Sequence, residues 1–283
     1  MRPVRMRSAV ALLATAFLLV VGAGSASAAS WVGLGDSYAA GPLIPNQSLS
    51  PLGCLRSDHN WAHLASAQLG RSLNDVSCSG ATTDDMFASQ SVTPGPANPA
   101  QLNAVTTGVQ TVSVSIGGND IDFTGILEDC VSASPFGHPC QDQYDPGGVD
   151  QLAARIAATA PKIAAVIQGV HTRAPGARVL VVGYPAILPD TGSGCWPQVP
   201  LAWADVPYLR GVEKGLDTML AQQAAANGAV YVDAYAPSIG KDACKSSGTR
   251  WVEPLIPGNT AAPFHPNARG MAGIAPYVAA AAS

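Results

Sequence analysis

Four short blocks of this chain carry a serine, a glycine, an asparagine and a histidine whose chemistry is complementary. Ser37 stands in Gly35-Asp36-Ser37-Tyr38-Ala39-Ala40-Gly41, directly after the apolar run Trp31-Val32-Gly33-Leu34. Gly80 stands in Cys78-Ser79-Gly80-Ala81-Thr82-Thr83, Asn119 in Gly117-Gly118-Asn119-Asp120, and His265 in Phe264-His265-Pro266-Asn267. A serine hydroxyl is a poor nucleophile until a base takes its proton. Histidine is the usual base and can return that proton to a leaving alcohol. Attack on an ester carbonyl creates an oxyanion, which amide N–H groups stabilise. Glycine at 80 suits an amide that must lie close to substrate, because no Cβ intervenes. Each block taken alone also reads as ordinary turn chemistry. Asp36 and Asp120 in particular read as caps rather than acids.

These residues matter only if the fold brings them together. Strand-like apolar runs recur at Trp31–Gly35, Ser72–Ser77, Thr111–Ile116, Arg178–Gly183 and Ala229–Ala234. They are mostly continuous, as expected of strands covered on both faces. Between them lie helical stretches at Trp61–Leu69, Val149–His171, Val206–Asn227 and Asn267–Ala282. The second carries apolar residues at helical spacing, with Pro161 expected to kink or split it. Gly228 is expected to stop the third, and Pro276 to interrupt the last. Alternating strands and helices predict an α/β fold: a three-layer α/β/α sandwich around a mostly five-stranded parallel sheet. The four blocks then fall at strand ends or beside the last helix, where one sheet edge can gather them. Residues 122–148 and 188–207 fit neither pattern and read as long, disulfide-tied loops over one end of the sheet.

The N-terminus reads as a secretory signal peptide over residues 1–28. Arg2, Arg5 and Arg7 precede an apolar stretch from Ala9 to Val21, and Ala26-Ser27-Ala28 fits small-residue cleavage. Residues 29–283 then form a single domain of 255 residues, long enough for a sizeable core. The whole chain has 15 Lys+Arg against 19 Asp+Glu. Removal of the three arginines leaves a net charge of −7, which disfavours nucleic acid as a partner. The six cysteines all follow the signal, and in an exported chain they suggest three disulfides. Six cysteines allow fifteen connectivities. Pairing in order gives the shortest loops: Cys54–Cys78, Cys130–Cys140 and Cys195–Cys244. His59 and His63 stand four apart, which would suit one helix face, but lack the glutamate of the metalloprotease motif. His138 in the first long loop and His171 at a helix end are not compelling either.

Taken as an ordered set, the four blocks resemble the SGNH (also called GDSL) hydrolase family, and the resemblance covers essentially all of residues 29–283. The export signal, the even cysteine count and the Gly-Asp-Ser-Tyr variant are most similar to the secreted actinobacterial lipase, esterase and phospholipase branch. The resemblance implies Ser37 as nucleophile, His265 as general base and acid, and an oxyanion hole from the Ser37 amide, the Gly80 amide and the Asn119 side chain. It implies no metal and no organic cofactor. The competing signature Gly-x-Ser-x-Gly is absent. One departure stands out. Many family members have Asp three residues before the histidine, where this chain has Ala262, and no carboxylate lies between Glu253 and His265. Some members of the secreted branch orient the histidine with a main-chain carbonyl instead, and the resemblance implies the same here: a Ser37–His265 dyad with the ring oriented by the carbonyl of Ala262 or Pro263.

The expected substrates are small-molecule or lipid carboxylic esters, with at most transient contact with lipid surfaces and a monomeric state. Two alternatives compete: an acetyl-polysaccharide esterase on the same site, and a non-catalytic secreted binding protein. Leu43, Ile44, Phe123, Ile126, Leu188 and Trp196 are candidates to line an acyl pocket.

Overall fold

The computed structural model of the protein describes Met1 and residues 30–283. The signal peptide read over residues 1–28, with its boundary at Ala28, lies otherwise outside the described residues. Five parallel strands, β1 (Trp31–Gly35), β2 (Leu73–Asp75), β3 (Thr111–Ser115), β4 (Arg178–Val182) and β5 (Val230–Val232), form one sheet in the order β2-β1-β3-β4-β5. Helices cover both faces, giving the three-layer α/β/α arrangement. Alternation along a strand sorts the two cores. Val179 and Val181 of β4 face a cluster that includes Ile163, Val166, Ile167 and Val170 of α5 (Gln151–Arg173) and Leu216 and Leu220 of α6 (Asp205–Ala226). Leu180 and Val182 face the opposite cluster, with Trp61 and Ala65 of α2 (Trp61–Gln68) and Met271, Ile274 and Val278 of α7 (Ala268–Ala282).

Local chemistry sets the helix starts. Asn60, Asp150 and Asn267 cap α2, α5 and α7 by accepting first-turn N–H groups through their side chains. Gly228, at φ +73°, follows the end of α6 as the stop.

The prolines do not split or interrupt their helices. α5 runs unbroken through Pro161 and α7 through Pro276. Both prolines are on solvent-exposed faces, as are the residues four before them, Ala157 and Ala272. The carbonyls freed by the missing N–H groups therefore face water rather than a dry core, which limits the cost. The two long segments are also more ordered than expected. Residues 122–148 contain α3 (Phe123–Asp129) and α4 (Pro139–Tyr144), and α6 already starts at Asp205. Disulfides join Cys54 to Cys78, Cys130 to Cys140 and Cys195 to Cys244. His59 precedes the Asn60 cap, so it does not share a helix face with His63; it pairs with neighbouring Asp58 instead.

In this strand order the chain leaves β1 toward one edge and β3 toward the other. The crevice outside the carboxyl ends of β1 and β3 is thus a topological switch point, the usual ligand position in such sheets. Gly35 and Ser115 end these two strands in register.

Candidate active site

The serine block leaves β1 through a turn that only glycine fits. Gly35 has φ +143°, and a Cβ there would run into the Ser115 carbonyl oxygen. The buried Gln101 side chain holds both polar groups of this glycine: its Oε1 accepts from Gly35 N at 2.7 Å and its Nε2 donates to Gly35 O at 2.9 Å. Asp36 then caps a one-turn helix, α1 (Ser37–Ala40), by accepting from Tyr38 N at 2.9 Å. Ser37 is its first residue, so its amide has no acceptor within the helix.

The histidine meets this turn from the far end of the chain. His265 Nε2 lies 2.8 Å from Ser37 Oγ, and Nδ1 lies 2.7 Å from the Pro263 carbonyl oxygen. A carbonyl only accepts, so Nδ1 carries the hydrogen and Nε2 presents its lone pair to the serine hydroxyl. The Ala262 carbonyl accepts from the His265 backbone N–H instead, at 3.2 Å. Tyr38 braces the ring: its centroid is 5.0 Å from the imidazole, and its hydroxyl donates to the Phe264 carbonyl at 2.6 Å. Burial pulls the His265 pKa below its ordinary value, opposed by the Pro263 carbonyl. The ring is therefore a neutral base at neutral pH.

The asparagine and glycine blocks are tied to each other. Asn119 Nδ2 donates to the Ala81 carbonyl at 2.8 Å, which fixes the amide and leaves its second N–H free of that bond. Asp120 accepts from Thr83 N at 3.0 Å and lies 3.5 Å from Lys162 Nζ, a tether rather than an acid aimed at substrate. Gly80 has φ +78° and sits exposed in the turn after Cys78.

Residues that no motif announced join these blocks. The Tyr184 hydroxyl accepts from Gly118 N at 2.8 Å and donates to Asp36 Oδ2 at 2.6 Å. It thereby links the asparagine block to the serine block. Burial raises the Asp36 pKa to about 7, against the lowering effect of the Tyr184 bond. Tyr184 and Gln101 are isolated residues in sequence, and their only signal is polarity beside apolar runs.

Ser37, Asn119 and His265 line a cleft of about 300 Å³ walled by Phe123, Leu127, Val131, Ile187, Leu216 and Leu255. Of the pocket candidates read from sequence, Phe123 lines it. Ile126 and Leu188 are buried in the core, Ile44 belongs to the opposite core cluster, Leu43 is exposed, and the Trp196 indole donates to the Ser132 carbonyl. Glu213 is also in the wall; its Oε1 accepts from Ile187 N at 2.9 Å, and burial holds its pKa well above the usual carboxylate range.

A profile of the GDSL-like lipase/acylhydrolase family matches residues 34–272, a span that includes all four blocks. The chain belongs to this family. It is 40% identical over 246 residues to Lipase 2 of Streptomyces coelicolor, covering 85% of this chain and 81% of that one. Among solved structures, a phospholipase A1 from Streptomyces albidoflavus superposes with a TM-score of 0.75 at 26% identity, covering 89% of this chain and 99% of that one. An extracellular lipase from Streptomyces rimosus gives 0.71 at 27% identity, covering 89% and 98%.

Proposed function

We propose that the protein is a secreted serine hydrolase that cleaves carboxylic esters of lipids through a Ser37–His265 dyad. The observation that carries this reading is the aligned relay of Ser37 Oγ, His265 Nε2, His265 Nδ1 and the Pro263 carbonyl, at 2.8 and 2.7 Å, at the head of an apolar cleft. His265 takes the hydroxyl proton as Ser37 attacks the ester carbonyl. The Ser37 and Gly80 amides and the second Asn119 N–H stabilise the resulting oxyanion. Imidazolium then protonates the leaving alcohol, and the freed base activates water against the acyl-serine. The Pro263 carbonyl fills the orienting role that Asp has in a triad. No step calls on a metal or an organic cofactor.

Lipid esters are favoured by the apolar cleft wall and by the relatives, which are lipases and a phospholipase A1. Export is favoured by the signal-like N-terminus, by the disulfides and by the extracellular lipase among the neighbours. A monomer that touches lipid surfaces transiently is the working state. Its contact face is the cleft mouth, where Val131 and Leu255 are both cleft-lining and exposed. Labelling by a fluorophosphonate probe tests the chemistry: wild type is labelled and Ser37→Ala is not. Equal labelling of the two would refute the assignment. A panel of p-nitrophenyl esters, phosphatidylcholine and acetylated xylan tests the substrate, and activity on acetylated xylan alone would overturn the lipid reading.

A further inference from the structure

The orienting carboxylate missing before His265 has a counterpart twelve residues upstream. We infer that Glu253 is the positioning residue of the histidine, gripping the loop that carries it without touching the ring. This inference rests on the Ser37–His265 reading of the site.

Glu253 is fully buried, and six hydrogen bonds converge on its carboxylate. Oε2 accepts from Arg250 Nε at 3.0 Å, Arg250 Nη2 at 2.7 Å, Gly258 N at 2.8 Å and Asn259 N at 3.1 Å. Oε1 accepts from Asn259 Nδ2 at 2.7 Å and Asn267 Nδ2 at 2.6 Å. The first set folds the tip of the loop inward. The last bond holds Asn267, whose own Oδ1 caps α7. The backbone of the same residue closes the neck: Glu253 N donates to His265 O at 3.0 Å, and Phe264 N donates to Glu253 O at 3.0 Å.

The held segment needs this grip. Phe264 has φ +58°, a left-handed conformation that is uncommon for a bulky non-glycine residue. It stands between Pro263, whose carbonyl takes the ring hydrogen, and His265 itself. Release of the neck lets residues 263–265 relax, and the Pro263 carbonyl then leaves Nδ1. Convergent N–H donors also demand a carboxylate here. A carboxamide would turn its NH₂ toward donors that need an acceptor.

The test compares wild type, Glu253→Gln and Glu253→Asp, the last keeping a charge near Arg250. Steady-state kinetics on p-nitrophenyl butyrate are normalised to folded protein by circular dichroism at low temperature. Glu253→Gln is expected to lower kcat at least about tenfold with KM within twofold, as a displaced catalytic group does. The acid limb of kcat/KM should move to lower pH, because the Pro263 carbonyl raises the histidine pKa. Glu253→Asp should fall between the two. A lowered Tm with unchanged kcat and an unmoved acid limb in the folded variants would overturn the inference. Where Glu253→Gln does not fold, Glu253→Asp decides by the same two readouts. Wild type that neither hydrolyses the ester nor takes the fluorophosphonate label instead refutes the underlying serine-hydrolase reading.

Discussion

At the scale of single residues, Asn119, the proposed oxyanion donor, spends one N–H on the Ala81 carbonyl and keeps the other clear of that bond. Asn119→Ala is expected to lower kcat by about 10²–10³ with little change in KM, the cost of removing one oxyanion donor. A large rise in KM at constant kcat would assign Asn119 to ground-state binding instead. The proximity of Ser37, Asn119 and His265 at one cleft was legible in the sequence from the order of their blocks, whereas Gly80 sits exposed in its turn and does not line that cleft. The ring-orienting carbonyl was legible only as a choice between Ala262 and Pro263, since which oxygen meets Nδ1 depends on the turn at Phe264. Tyr184 and Gln101 were not legible. Their partners lie 66 or more residues away, and one tyrosine or glutamine in an apolar context looks like many others.

At the scale of elements, α6 anchors the segment that follows β4. Asp217 Oδ1 accepts from Tyr184 N at 2.9 Å, so the helix fixes the backbone of the residue that links the two blocks. Burial raises the Asp217 pKa from 3.8 to about 7, and Asp36 behaves alike. Between pH about 4 and 7 the folded state keeps protons that the unfolded chain releases, so stability falls as pH rises through this window. The loss for one such group is on the order of 4 kcal/mol. Glu253, held down at about 2, acts in the opposite sense: its contribution is present above about 4.5 and is lost as pH falls toward 2. Asp217→Asn keeps an acceptor for Tyr184 but cannot titrate. Its Tm measured from pH 4.5 to 7.5 should therefore change less than that of wild type, and an identical slope would refute the assignment. The strands and long helices were readable because apolar periodicity sets them. That Pro161 leaves α5 unsplit was not readable, because its cost depends on whether the freed carbonyl meets water, which is a property of the tertiary surface. α3 and α4 were hidden by glycine, proline and cysteine, whose local signals favour loops.

At the scale of the whole molecule, three uncharged segments are gathered beside the cleft. Residues 131–137, 191–204 and 254–264 contain no Asp, Glu, Lys or Arg, in a chain with 34 such residues. The first two segments are joined by the Ser132–Pro200 bond and by the edge-to-face contact of Phe136 and Trp203; the third shares the cleft with the first through Leu255 and Val131. Phe136 and Ile256 are 72% and 82% exposed, each with an apolar area worth about 1.5–3 kcal/mol if fully covered. The double variant Phe136→Ser with Ile256→Ser should bind phosphatidylcholine vesicles at least about tenfold more weakly. Its kcat/KM on a soluble butyrate ester should stay within twofold. Unchanged vesicle binding would remove this face as the site of lipid contact.

The pairing of Ser37 with His265 also has a consequence in time. The two residues lie 228 positions apart, one beyond the first strand and the other just before the last helix. A chain is made from its N-terminus, so Ser37 of the proposed dyad emerges well before His265. No growing chain that stops short of residue 265 can hold the pair. The proposed dyad is therefore incomplete until residue 265 has been made, because the order of assembly withholds the histidine from the serine.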